Sequence, residues 1–248
     1  MVTYGYTAEK LDGIELDLHS HVKSQIMLVQ RGALSCEGEE GLWVVPPRSA
    51  IWIPGGVRHA IRMSGALEGY NAFIDPAIGP VLPETCCAVV VTPLLRELLV
   101  RLSELPLYYE ESGANLRLLA VLLDELAQAK VEDLHLPMPS DTRLCGIVDM
   151  MMAAPANRET LNIWAGRAGL SERSLSRLIS QETGMSFGRW RQQLSVMLAV
   201  TWLADGTTIQ QVAGDLGYES VPSFVTMFRK VLGTSPGRYM AERYATRD

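Results

Sequence analysis

Three histidines in the first sixty residues have a spacing that could build a binding site. His19 and His21 are separated by one residue, so on a β-strand both imidazoles would point to the same face. His59 follows the turn Pro54-Gly55-Gly56. Imidazole nitrogens bind divalent first-row metals, and Gln25 could add a weak fourth ligand. This ligand set is neutral, so a bound ion would keep its charge and favour an anionic effector such as a carboxylate.

The same imidazoles could instead hydrogen-bond an organic effector without a metal. Arg62 would then be a candidate charge partner, and Trp52 could line the pocket. The alternative is that these side chains are ordinary parts of a small barrel, in which a tryptophan is at least as often a core residue.

The segment that carries these residues has the pattern of short β-strands. Between residues 11 and 75, runs of β-forming residues are interrupted at short intervals by Gly and Pro. That pattern is typical of a small antiparallel barrel or jelly roll. The predicted strands are Gln25 to Val29, Ala33 to Cys36, Leu42 to Val45, Ala50 to Ile53 and Ala60 to Met63.

The histidine spacing resembles the two sequence motifs of the cupin family. The motifs here read Gly13-x5-His19-x-His21-x3-Gln25-x6-Gly32 and Pro54-x-Gly56-x-x-His59. The family has Glu where Gln25 stands, Asn where Met63 stands and Gly where Arg48 stands. The resemblance implies a cupin-like barrel in which the three histidines meet, and the departures disfavour a catalytic metal.

Residues 93–130 change to a helical period. Two leucine stripes indicate two helices beside the barrel, and their apolar faces need a partner surface. Packing on the barrel accounts for part of that need, and we predict that a homodimer accounts for the rest. The stripes are Leu94, Leu95, Leu98, Leu99 and Leu102, and then Leu116, Leu119, Leu122, Leu123 and Leu126.

The last third of the chain contains one unit twice, 49 residues apart. The segment that starts Gly184-Met185-Ser186 returns as Gly233-Thr234-Ser235, and an Ala-x-x-x-Gly precedes each copy, at Ala165 and at Ala213. A repeat at a fixed offset indicates one supersecondary unit built twice.

Each copy has the pattern of a helix-turn-helix. In the first, Thr160 and Ser171 are candidate N-caps on either side of a turn at Gly169. Thr208, Gly217 and Ser220 hold the same places in the second. Two helices that cross steeply over a short turn form a DNA-binding hairpin, whose second helix enters the major groove. A single helix is predicted between the copies, over Phe187 to Ala204.

This stretch resembles the DNA-binding domain of AraC/XylS-type transcription regulators. The residues that carry the resemblance include Leu175-Ser176-Arg177-Leu178, Glu182-Thr183-Gly184-Met185-Ser186-Phe187, Val212-Ala213, Leu216-Gly217-Tyr218, Ser223-Phe224 and Phe228-Arg229-Lys230. By position, the resemblance implies that the groove-facing residues are Arg173, Ser176 and Arg177 in the first unit and Val221, Pro222, Ser223 and Thr226 in the second. It also implies promoter DNA and RNA polymerase as partners, and a role as an activator is one expectation.

The charge distribution agrees with a sensor joined to a DNA reader. Residues 1–140 hold 10 Lys and Arg against 18 Asp and Glu, a net charge of −8, and residues 141–248 hold 12 against 10, a net charge of +2. The four cysteines lack the spacing of a zinc site. With no signal peptide and no long apolar run, we expect a cytoplasmic protein without a membrane segment.

These observations predict an α+β protein of two domains. A sensor and dimerisation domain, a cupin-like β-barrel with two flanking helices, would cover residues 1–131. A linker would cover 132–141, and an all-α domain with two helix-turn-helix units would cover 142–248. The leading hypothesis is a non-enzymatic transcription regulator that responds to a small molecule. The alternatives are a metal-dependent cupin oxygenase or isomerase with a helical appendage, and a DNA-binding protein whose barrel only dimerises.

Overall fold

A computed structural model describes residues 2–8, 15–75, 82–106 and 112–244. The chain divides into two compact units, Met1–Glu39 with Trp43–His135 and Glu40–Leu42 with Leu136–Asp248. No helix among the described residues is both long enough and apolar enough to cross a membrane.

The first unit is built on two long antiparallel strands, β3 and β6. They pair from Ser24 with Ile74 to Gly38 with His59. The other strands extend the sheet on both sides, and it curls into a half-barrel, as the sequence predicted. The strands are β1 (Val2–Ala8), β2 (Glu15–His19), β3 (Ser24–Gly38), β4 (Gly41–Val45), β5 (Ser49–Ile53), β6 (His59–Ile74), β7 (Cys87–Val90) and β8 (His135–Leu136).

The bend in β3 lies where its pairing with β6 is irregular. The register shifts on both sides of Arg31, and Gly32 has a φ of 76°. Before the bend β3 also pairs with β5, and after it the neighbour is β4. Because the two halves of one strand have different neighbours, the sheet has to curl, and the two short strands predicted here are one bent strand.

Side-chain alternation gives the curled sheet two apolar faces. The inner face includes Met27, Val29, Ile51, Ile53 and Ile61. The outer face carries the residues between them in the strands, with Ile26, Leu28 and Trp52 among them. Residues on one side of the sheet recur every second position along a strand, so this parity decides which side chains can reach a common site.

Two helices cover the outer face, α1 (Pro93–Ser103) and α2 (Gly113–Ala127). Leu98 and Leu102 are buried in the cluster that α1 forms with the sheet and α2. The leucine stripes left open whether these two side chains face the barrel or a partner subunit, and in the structure the protein's own core covers them. Leu94 and Leu116 lie on the other side of their helices and are 48% and 49% exposed.

Arg48, which stands where the cupin motif has glycine, has a left-handed backbone. Its φ is 64°, and it is the one non-glycine residue with a positive φ among the described residues. Its amide donates to Val29 O at 2.8 Å, and its carbonyl accepts from Val91 N at 3.1 Å. A left-handed conformation costs a side chain about 1–2 kcal/mol, and these two hydrogen bonds fix the turn before β5.

The second unit is entirely helical outside the short β segments. The first helix-turn-helix is α4–α5 and the second is α7–α8, with α6 between them over the range that the sequence predicted. The helices are α3 (Thr142–Ala153), α4 (Leu161–Arg167), α5 (Glu172–Thr183), α6 (Phe187–Ala204), α7 (Ile209–Asp215), α8 (Val221–Leu232) and α9 (Pro236–Tyr244).

The predicted N-caps and turns of both helix-turn-helix units are confirmed. Thr160, Ser171, Thr208 and Ser220 are the N-caps, and the side chains of the last three accept a backbone N–H. The φ angles at Gly169 and Gly217 are 66° and 71°, which glycine adopts without a steric penalty.

Part of the predicted linker is fastened to the second unit. Trp190 Nε1 donates to Pro137 O at 2.8 Å. Glu182 accepts from Ser140 N at 2.9 Å and from Ser140 Oγ at 2.8 Å. Cys145 Sγ donates to Pro139 O at 3.2 Å. Residues 137–141 are therefore an ordered strap on α3, α5 and α6.

Candidate effector site and DNA-reading surface

The three predicted histidines converge in the structure. His19 and His59 face each other across the β2–β6 pair, and their ring centroids lie 4.4 Å apart. The centroid of His21 is 5.0 Å from that of His59 and 6.0 Å from that of His19. One ring nitrogen from each residue lies within 4.8 Å of the other two. Three imidazoles thus share one small volume at the end of the half-barrel.

Main-chain carbonyls orient all three rings. Nδ1 of His19 lies 2.7 Å from Asp17 O, and Nδ1 of His59 lies 3.0 Å from Val57 O. Nδ1 of His21 contacts the carbonyl of Lys23. A carbonyl oxygen only accepts, so each Nδ1 carries a proton, and in a neutral ring of His19 or His59 the lone pair is then on Nε2.

His59 is the buried member of the cluster. It is 0% exposed, and its Nε2 has no hydrogen-bond partner among the described residues. Burial lowers the pKa of His59, and the neighbouring His19 and His21 lower it further, against the opposing effect of the Val57 carbonyl. A neutral imidazole with an unused buried lone pair is a ready acceptor or metal ligand.

Gln25 joins the cluster through His21. Its Oε1 lies 2.8 Å from His21 Nε2, and its Nε2 donates to Asn71 Oδ1 at 3.0 Å. The ring of Phe73 meets His21 edge-on, with centroids 5.0 Å apart. The amide of Gln25 is therefore engaged at both ends, which is the arrangement of a residue that orients His21.

Trp52 and Arg62, the other two predicted effector residues, are not brought to the histidines. Trp52 follows Ile51 on β5, so it points to the outer face and lies in the core with α1 and α2. Its indole donates to Pro83 O at 2.8 Å. Arg62 follows inward-facing Ile61 and is exposed on the other face. Both placements follow from strand parity, which the sequence motifs do not fix.

The donor set fits a divalent transition metal. Metal-bound histidines usually donate their second ring N–H to a carbonyl or carboxylate, and all three Nδ1 atoms here face carbonyls. Three Nε2 atoms would be the ligands, and His21 would have to exchange its bond to Gln25 for the metal. The set lacks a carboxylate, so the charge of an ion would be balanced only by what binds next to it.

The first predicted reading surface lies on α5. Arg173 and Arg177 are exposed one turn apart, and Ser176 between them is partly buried. They line one open surface depression together with Ser180. The inner side of the same helix buries Leu175 and Ile179. The helix therefore presents a polar and basic outer side of the kind that enters a major groove.

The second predicted reading surface, at the start of α8, is less polar. Pro222, Ser223 and Thr226 are exposed and Val221 is partly buried. Thr226 Oγ1 donates to Pro222 O at 2.9 Å, and Ser223 Oγ lies 2.9 Å from Ser220 Oγ. Both hydroxyls therefore have local partners. This surface offers methyl and methylene groups more than free donors.

Sequence reasoning did not find Asn71 and Phe73. Both lie on β6, more than 45 residues from Gln25 in sequence, and β3–β6 register brings them to the cluster. A polar Asn between Tyr70 and Ala72 in the β-rich segment is the signal that could have identified a buried hydrogen-bonding residue.

Known proteins similar to this chain are transcription regulators. A family model described as a helix-turn-helix domain matches residues 164–242. The chain is 43% identical over 230 residues to the HTH-type transcriptional regulator NimR of Escherichia coli (strain K12). The matched region covers 93% of this chain and 84% of NimR. It is 29% identical over 103 residues to the regulator RipA of Corynebacterium glutamicum, over 42% of this chain and 31% of RipA.

Two solved structures are among those similar to this chain. ToxT from Vibrio cholerae O395 is 12% identical, covers 98% of both chains and superposes with a TM-score of 0.42. The DNA-binding domain of AdpA in complex with a target DNA is 27% identical, covers 42% of this chain and 94% of that domain, and has a TM-score of 0.39.

Proposed function

Because this chain belongs to the AraC-type helix-turn-helix transcription regulators, we propose that α5 and α8 read one operator and that the three-histidine cluster binds the effector. The protein is a DNA-binding regulator and not an enzyme. The metal-dependent enzyme considered above has no support among its relatives, and Gln25 stands where the cupin motif has its carboxylate.

The exposure of Arg173 and Arg177 on the outer side of α5 supports their role in DNA reading. A guanidinium can donate two hydrogen bonds to O6 and N7 of guanine, or it can bind a phosphate. The residues proposed on α8 are Val221, Pro222, Ser223 and Thr226. They fit contact with a thymine methyl group, because their free surface is largely apolar.

Changing Arg177 to Ala tests this assignment. A bidentate guanine contact predicts a loss of about 1–3 kcal/mol on the cognate operator and relaxed selectivity at one base pair. A phosphate contact predicts equal weakening on all sequences. Arg189→Ala, which removes an exposed charge from α6, is the matched control. Unchanged affinity of Arg177→Ala in a gel-shift titration would remove Arg177 from the reading surface.

The convergence of His19, His21 and His59 is the observation that carries the effector proposal. A buried Nε2 without a partner is costly unless a ligand uses it, and a ligand at this point would touch β2, β3 and β6 together. The same three residues are the proposed metal ligands. An ion held there would supply positive charge for an anionic effector, whereas a metal-free site would bind the effector by hydrogen bonds to the imidazoles. Gln25 was predicted as a fourth metal ligand. We propose that it orients His21.

Changing His21 to Ala tests the site. Because the reader is a separate unit, operator binding should persist while the response to the effector is lost. His135→Ala removes the histidine outside the cluster and should behave as wild type. Elemental analysis of purified protein separates the two forms of the site. Normal induction of a reporter by the His21 variant would show that the cluster is not the effector site.

A homodimer is the proposed assembly, RNA polymerase the proposed partner at the promoter, and the cytoplasm the proposed location. The exposed Leu94 and Leu116 on α1 and α2 support the dimer. If the barrel served only as a dimerisation module, no small molecule would raise the melting temperature of the wild-type protein more than it raises that of the His21→Ala variant.

A further inference from the structure

Two arginines face a small cavity inside the second unit, away from both reading surfaces. Arg158 lies in the loop after α3, and Arg191 lies on α6. The walls also include Asn157 and Ser195 as polar groups. Neither the helix-turn-helix geometry nor the sequence motifs account for two cations at one cavity.

Among the described residues, no carboxylate pairs with either guanidinium. Nη2 of Arg158 is buried and has no hydrogen-bond partner among the described residues. Arg191 donates from Nη1 to the backbone carbonyl of Glu159 at 3.0 Å. The Glu159 carboxylate itself is occupied, because it pairs with Arg167 at 2.6 Å and accepts from Asn157 Nδ2 at 2.8 Å.

Such a pair is unfavourable without a counter-charge. Arginine stays protonated in proteins, and two partly buried cations at one cavity are destabilising when no negative charge lies near them. Burial lowers the pKa of Arg191, and the positive charge of Arg158 lowers it further. The Arg158 guanidinium also lies 3.8 Å from the centre of the Tyr218 ring, so the aromatic face offsets part of the cost and leaves the Nη2 donor unused.

We propose that this cavity binds a small inorganic anion, either chloride or phosphate with one oxygen inserted, between Arg158 and Arg191. The cavity has a volume of ≈ 10 Å³, which is enough for about one water-sized occupant. That size excludes a nucleotide or a sugar phosphate. The unused Arg158 N–H and the second guanidinium favour an anion over a neutral water.

The anion would connect the two reading units. Arg158 stacks on Tyr218 at the turn of the second helix-turn-helix. Its neighbour Glu159 is paired with Arg167 on α4 of the first helix-turn-helix. A Cβ at Gly217 would lie 2.2 Å from Ala156 O, so the loop before Arg158 is packed directly on that turn. An occupant that holds Arg158 to Arg191 therefore stabilises the loop that contacts both units.

The test is the melting temperature of the full-length protein without DNA. Chloride or phosphate replaces gluconate at constant ionic strength, so general screening does not change. Above its Kd, a bound anion should raise Tm by roughly 3–5 °C for each tenfold increase in concentration. Arg158→Met and Arg191→Met should abolish this dependence, and Arg189→Met, which removes an exposed charge from the same helix, should keep it.

The wild-type titration decides the matter even if Arg158→Met does not fold, and Arg191→Lys provides a variant that keeps the charge. Chloride and phosphate arms show which ion enters. A wild-type Tm that does not rise with the concentration of either anion would mean that water alone fills the cavity, and the proposal would be wrong. An equal response in Arg158→Met and Arg191→Met would overturn it as well.

Discussion

At the scale of single residues, the effector cluster is oriented by its own main chain. Each Nδ1 faces the carbonyl of a residue two positions away, Asp17, Lys23 or Val57. Sequence spacing could predict that the imidazoles meet, although the predicted strand geometry holds only for His19, because β2 ends there and His21 lies just after it. It could not place Trp52 or Arg62, because parity relative to the core depends on which face the helices cover.

The buried imidazole of His59 predicts a pH dependence of stability. Its folded pKa lies below the ordinary value of 6.5, so the unfolded chain binds the proton more tightly. The stabilisation is therefore complete above pH 6.5 and is lost as the pH falls towards the folded pKa. Urea unfolding at several pH values should show this loss in the wild type and a smaller one in His59→Gln. Equal slopes in both proteins, with His135→Gln as control, would contradict the assignment.

Two glycines with the same backbone conformation should respond differently to alanine. Gly169 and Gly217 both have positive φ, but only at Gly217 would a Cβ meet other atoms within 4 Å, namely Ala156. Gly169→Ala should cost about 1 kcal/mol from the backbone alone. Gly217→Ala should cost roughly 2–5 kcal/mol because overpacking is added. Chemical denaturation measures both, and equal losses would mean that the loop at Ala156 yields freely.

At the scale of elements, α1 and α2 were predictable but their buried sides were not. The leucine period fixes a helix, whereas ten leucines leave open which of them meets the sheet. In the structure Leu98 is 6% exposed and Leu94 48%. Stripe membership alone therefore could not separate the protein core from a subunit contact.

A charge at each of these leucines gives opposite expectations. Leu98→Glu places a carboxylate in the core and should prevent folding, and Leu98→Ala should cost about 2–4 kcal/mol. Leu94→Glu should change stability by less than about 0.5 kcal/mol and, combined with Leu116→Glu, should give a monomer in sedimentation. A folded Leu98→Glu protein, or a double variant with unchanged mass, would contradict these assignments.

The strap at residues 137–141 gives a second prediction at this scale. The carboxylate of Glu182 accepts three hydrogen bonds, two from Ser140 and one from Asp141 N. Glu182→Ala should loosen the strap and increase amide exchange at residues 140–142, while Gln181→Ala, on the next exposed position of α5, should not. Unchanged exchange in Glu182→Ala would show that Trp190 and Cys145 hold the strap alone.

At the scale of the whole molecule, the sequence repeat predicted the arrangement of the DNA-binding helices more fully than the amino-acid composition did. The caps, the turns and the bounds of α6 agree with it because helix signals are local. The cavity at Arg158 and Arg191 could not be predicted, since those residues are 33 positions apart and only the packing of the loop on α6 joins them.

We propose that the length of α6 sets the geometry of operator binding. Its 18 residues span about 27 Å, which suits two recognition helices in successive major grooves on one face of the DNA, about 34 Å apart. On this proposal, each recognition helix would read its own half of the operator, with the stronger base contacts expected from α5.

The measurement that tests this most directly is hydroxyl-radical footprinting on operators that carry insertions between the two half-sites. We predict protection of two segments about 10 base pairs apart. Inserting half a helical turn should remove protection of the α8 segment and leave that of the α5 segment. Arg177→Ala should weaken the α5 segment first. A single protected segment that ignores the insertion would contradict the claim that both units read one operator.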